Sequence, residues 1–252
     1  NLGSFGLYEA FLSKRPFFFP FLISLVHDLT GFRVGNVFLV NTMLTIIFLG
    51  TGFGLLARLA GRPAGYTFLI LMAFFPVLAQ GATSGNASIL NITLITAAIL
   101  FAVRYYDFPE PKTLVPLVYS LLLLAQTRYE SSVYILPFGI LILAGWWKAK
   151  KIVLSPAVVI APMFLILNLL HHRYSLTYSG FYWQAGPDNR RQTFSLSYIG
   201  ENLQSTWDFL FNLAKTQPNS LVLSITGIAG LAVVLWGLLR RDIPERVRPA
   251  AF

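Results

Sequence analysis

The sequence predicts an all-α protein, a polytopic transmembrane helical bundle of about seven spans with one additional interfacial helix. Three observations carry this. Of 252 residues, 56% are hydrophobic and 12% charged, where a soluble domain carries about 25% charged residues. The apolar residues come in blocks approaching the roughly 20 residues that cross a bilayer, separated by short basic or Gly/Pro-containing breaks. The basic residues gather in alternate breaks, as membrane topology requires.

The blocks place spans at 36–57, 64–80, 87–103, 113–127, 131–147, 152–170 and 219–239. The break between the fourth and fifth, Gln126 to Ser131, is so short that the two should form a tight antiparallel hairpin. Segment 16–30 differs: as a helix it rises only about 22 Å, short of a hydrocarbon core of about 30 Å. Pro16 stands at its start, where a missing N–H costs nothing, and His27 and Asp28 near its end. It reads as an interfacial or re-entrant helix, with a tilted or partial span as the competing reading. The chain is thus expected to be one transmembrane domain over 1–252, incomplete at both ends. Its parts are an outer segment 1–35, a six-span bundle 36–170, an outer loop 171–218 and a last span 219–239.

Charge sets the orientation. One series of alternate breaks carries Arg58 and Arg62, then Arg104 and Lys112, then Lys148, Lys150 and Lys151, then Arg240, Arg241, Arg246 and Arg248. The other is nearly bare: 80–86 has no charge, and Arg128 is offset by Glu130. The positive-inside rule assigns the first series to the cytoplasm, so 1–35 and 171–218 are expected outside, periplasmic in a bacterial inner membrane. The net charge of +9 forms no continuous stripe, which argues against nucleic acid. Without any Cys, disulfides and thiol chemistry are excluded. In the long loop, Leu203, Trp207, Leu210, Phe211 and Ala214 fall at helical spacing, predicting an amphipathic surface helix over 201–215.

Three polar clusters fall on the outer side: Lys14-Arg15-Pro16 with His27, Asp28 and Arg33; Arg128-Tyr129-Glu130; and His171-His172-Arg173 with Arg190 and Arg191. Together they suit a cationic, aromatic-rimmed cleft for a phosphate or sugar-phosphate, with Lys14, Arg15, Arg128, Tyr129, Glu130, Arg190 and Arg191 as substrate-binding candidates. Each has a plainer reading. Lys14 and Arg15 anchor a helix end in headgroups, Arg128 and Glu130 pair with each other or snorkel, and Arg190-Arg191 is simply solvated. His171 and His172 point about 100° apart on a helix and have no ligand at metal spacing. Neither a G-x-x-x-x-G-K-S/T, a G-x-S-x-G nor an H-E-x-x-H motif occurs. The sequons Asn86-Ala87-Ser88 and Asn91-Ile92-Thr93 sit at or inside a span and read as chance matches.

Four stretches resemble the GT-C-fold membrane glycosyltransferases, in particular the polyprenyl-phosphate-sugar enzymes of the protein O-mannosyltransferase and aminoarabinose transferase type. Ser13 to Leu22, with Lys14-Arg15-Pro16-Phe17-Phe18-Phe19-Pro20, is similar to that family's Lys-Pro-Pro-Leu-Tyr segment, whose helix ends here in Thr30-Gly31. Gly54 to Arg62 resembles its first short cytoplasmic turn, and Phe75 to Ser84 its Pro-containing helix end before an outer loop. Thr127-Arg128-Tyr129-Glu130, followed by Leu136-Pro137, resembles its Thr-Lys-Tyr motif.

The resemblance covers roughly residues 13–150. It implies a sugar moved from a polyprenyl-phosphate donor to a glycan, lipid or protein acceptor, with basic groups holding the phosphate and an acidic first outer loop supplying the general base. No acidic motif precedes Lys14, where Glu9 is the only carboxylate. The resemblance therefore places the first span and the catalytic Asp upstream of Asn1, the chain being a piece of a longer protein. The lipid-linked donor is a substrate and no cofactor is expected; a divalent metal stays open as an alternative that no residue set supports. Two rival readings stand beside this: a transporter or flippase of an anionic lipid or sugar, with Asn91, Pro162 and Asn168 as its few mid-span candidates, and a non-enzymatic membrane subunit.

Overall fold

The computed structural model describes residues 18–166, 198–211, 224–230 and 232. They fall in two compact units, one running through Ile166, the other holding the residues from Tyr198 on. Every regular element among the described residues is helical.

In the first unit, α1 (Phe18–Thr30) leads through Gly31 into α2 (Gly35–Ala60). Gly31 closes α1 with a positive φ of 81° and an amide bonded to the His27 carbonyl at 2.8 Å, the left-handed helix stop that glycine adopts without a Cβ penalty. Phe19 of α1 packs with Val40 of α2 and Leu90. Gly61, at φ 88°, turns the chain from α2 into α3 (Arg62–Ala73). The two helices lie so close that a Cβ on Gly65 would stand 2.7 Å from the Phe53 ring.

The predicted span 64–80 is not one helix. α3 ends at Ala73, Phe75 is extended (φ −93°, ψ 102°), and α4 (Pro76–Ala82) starts afresh. The cause is local: Pro76 disfavours helical backbone at the residue before it and suits the first position of a new helix.

α5 (Ser88–Asp107) is the centre of the unit, meeting α2, α4, α6 (Pro111–Ala125) and α7 (Ile135–Ala149). Small residues on one face, Ala98 and Ala102, let Leu114, Leu117 and Phe138 approach and form the main core with Tyr105. In lipid, apolar contact between helices gains little over contact with acyl chains, so close approach at small residues and polar ties fix the packing. α6 opens with a capping box between Glu110 and Thr113.

The expected tight hairpin of 113–127 and 131–147 is also revised. A 3-10 turn, Tyr129–Tyr134, separates α6 from α7, and α7 makes its larger interface with α5. Gly145 provides that contact, for a Cβ there would lie 2.6 Å from Cε1 of Tyr105. α8 (Pro156–Ile160) follows, capped by Ser155, and runs beside α6: Tyr119 donates to the Ala157 carbonyl at 3.2 Å and Gln126 to that of Phe164 at 3.3 Å.

Helices thus stand over the first six predicted spans, and among the described residues three segments are long and apolar enough to cross a membrane by themselves: Gly35–Ala60, Ser88–Asp107 and Ser131–Ala149. Span 152–170 is described only to Ile166, and 219–239 mostly lies outside the described residues, with helix at 224–230. In the second unit, α9 (Tyr198–Phe211) begins three residues before the predicted amphipathic helix and leaves Leu203 and Trp207 exposed.

The ends of the first unit differ in chemistry. At one end Arg58 pairs with Asp107 at 2.7 Å, Lys112 with Glu110 at 2.8 Å, and Lys148 donates to the Tyr106 carbonyl at 3.1 Å, its ammonium 4.3 Å from the Tyr106 ring centre. The first three basic breaks of the sequence therefore share one end of the first unit. The opposite end is held by asparagines.

Candidate functional site

Three asparagines, on α2 and α5, each reach across to a turn at the end away from the basic breaks. Asn36 donates from Nδ2 to the Gly31 carbonyl at 2.9 Å and sits 2.8 Å from Nδ1 of His27. Two amide hydrogens serve both contacts, with Nδ1 of His27 as acceptor. Asn41, wholly buried, donates to the carbonyls of Ser84 at 2.5 Å and Asn86 at 3.2 Å, fixing the connection from α4 to α5. Asn91, on α5, accepts at Oδ1 from the hydroxyls of Thr127 and Ser131, each at 2.7 Å.

The third tie bears on the predicted site. Thr127 and Ser131 are both buried and flank Arg128, whose side chain is exposed. Arg128 has extended backbone (φ −149°, ψ 147°), precedes the 3-10 turn, and accepts at its carbonyl from the Ser131 amide at 3.1 Å. A guanidinium is thus presented to solvent or headgroups from a backbone fastened on both sides. Such a group offers five donors in a rigid fork that fits phosphate oxygens.

Tyr129 and Glu130 open the 3-10 turn. Lys14, Arg15, Arg190 and Arg191 lie outside the described residues, as do His171, His172 and Arg173. His27 and Arg33 stand where α1 meets α2, at the asparagine-held end. Among the described residues no three metal-ligating side chains come together.

The profile of the dolichyl-phosphate-mannose-protein mannosyltransferase family matches residues 14–171, more than half of the chain. The chain belongs to that family. No curated protein and no solved structure matches it. The mannosyltransferase match begins at Lys14 and takes in α1 through α8, so Lys14, Arg15 and Arg128 fall within it and Arg190 and Arg191 beyond it. With the apolar helices, membership in this family makes the protein an integral membrane protein of glycosyltransferase type.

Sequence reasoning found Arg128 but not what holds it. Asn91 stood out only as a mid-span polar residue, a thin sign of a transporter. In the structure it ties a turn at the bundle end. The available signal was the cost of burying an amide among apolar residues, which demands a partner.

Proposed function

We propose that this protein is a membrane glycosyltransferase that moves a sugar from a polyprenyl-phosphate donor to an acceptor on the non-cytoplasmic face. The observation that supports it most is the fastened, exposed Arg128 at the end opposite the basic breaks, in a chain of the mannosyltransferase family. The donor's prenyl tail stays among acyl chains while its phosphate rests at the interface. Transfer breaks the bond between the anomeric carbon and a phosphate oxygen and forms one to the acceptor oxygen, whose proton passes to a general base, and the electron pair of the broken bond departs onto the phosphate. Arg128 meets that developing charge with two parallel N–H donors, a stabilisation that grows toward the transition state. Lys14 or Arg15 assists in holding the phosphate.

The transporter reading draws on the helix breaks at Phe74-Phe75 and at Ala161-Pro162. A transporter's broken helices frame a polar binding site, whereas the breaks here sit beside Phe74, Phe75, Met163 and Phe164. The deciding measurement is sugar transfer by the full-length protein in proteoliposomes supplied with a polyprenyl-phosphate sugar. Arg128→Ala is expected to lose roughly a hundredfold or more in turnover at unchanged protein level. Unchanged turnover removes Arg128 from the site, and donor movement across the bilayer without transfer favours the transporter.

A further inference from the structure

We propose that Asn91 is the positioning residue for Arg128, setting the guanidinium where it meets the donor phosphate. This rests on the reading of Arg128 as the phosphate-binding group. The side-chain oxygen of Asn91 has two lone pairs, and both are used, by the Thr127 and Ser131 hydroxyls at 2.7 Å. Those hydroxyls stand on either side of Arg128 in the chain, so one atom of α5 fastens both flanks of the arginine. α5 packs against four other helices of the unit, which makes Asn91 a fixed anchor. The Ser131 amide closes the turn onto the Arg128 carbonyl at 3.1 Å. The Thr127 hydroxyl also lies 2.7 Å from the Leu124 carbonyl. Without Asn91 its single hydrogen would go there, leaving the turn free to shift by the ångström or so that costs a charge-stabilising group most of its effect.

The test compares polyprenyl-phosphate binding and donor kcat/KM in the full-length protein carrying Asn91→Leu, Arg128→Ala or both. Asn91→Leu is expected to weaken binding and kcat/KM about tenfold or more in the wild-type background, and to add no further loss of binding once Arg128 is alanine. Asn91→Asp, which keeps the acceptor oxygen, recovers most of the binding. Should Asn91→Leu fail to accumulate in the membrane, Thr127→Val with Ser131→Ala removes the same two bonds, and Thr127→Ser serves as the hydroxyl-retaining control. If Arg128→Ala weakens binding while Asn91→Leu leaves it unchanged, or weakens it equally in both backgrounds, the positioning role is overturned and the functional reading stands. If Arg128→Ala itself leaves binding and turnover unchanged, the functional reading falls and this inference with it.

Discussion

Asn41 makes no contact with solvent, and its amide nitrogen donates to two carbonyls of the connection from α4 to α5. Truncating it deprives the half-buried Ser84 and Asn86 carbonyls of this donor. Asn41→Ala is therefore expected to cost about 1–3 kcal/mol, read as a lower melting temperature of the detergent-solubilised protein. Its Oδ1 is buried without a partner, so Asn41→Ala loses nothing on that side. At this scale the sequence was only half legible. Arg128 was visible because a cation beside apolar runs needs a reason wherever the helix ends. The asparagine ties were not, because each partner of Asn41 and Asn91 is 36 to 45 positions away and no local pattern announces it.

The helices show where local rules decide and where they are overruled. Pro76 was in plain view, yet the apolar content of 64–80 suggested one span; backbone sterics at Phe75 prevailed over hydrophobic continuity. The start of α6 was set by local chemistry, and Thr113→Ala should cost about 1 kcal/mol by removing half of the capping box. α7 offers an internally controlled comparison. Gly145→Ala forces a Cβ against the buried Tyr105 ring and should cost about 1–3 kcal/mol in thermal unfolding. Gly139→Ala in the same helix meets nothing within 4 Å and should be neutral or stabilising by up to about 1 kcal/mol. If the two substitutions act alike, the close α5–α7 contact is wrong. Why α7 prefers α5 to its sequence neighbour α6 was not readable, since every apolar face looks alike when lipid is the competing partner.

For the whole molecule, alternation of charge along the chain proved the most informative pattern. It separated two sets of breaks, and the ion pair Arg58–Asp107 and the bond from Lys148 to Tyr106 bring the first three basic breaks together at one end of the first unit. Which end faces the cytoplasm is a prediction that the absence of Cys makes easy to check. In intact cells, a membrane-impermeant maleimide should label Gly85→Cys and should label Lys112→Cys only after permeabilisation; the reverse result inverts the orientation.

The two ends are also fastened by forces that answer differently to ionic strength. Amide hydrogen bonds are blind to dissolved ions, whereas Arg58 and Asp107, with side chains 35% and 31% exposed, lie within reach of screening that shortens from about 8 Å at physiological salt to about 3 Å at 1 M. Raising salt should therefore loosen the junction of α2 and α5 near Asp107, speeding its backbone hydrogen exchange, while the amides around Arg128 exchange as slowly as before. A bundle built this way keeps its asparagine-held end ordered in surroundings of variable salinity and confines its response to the end with the ion pairs.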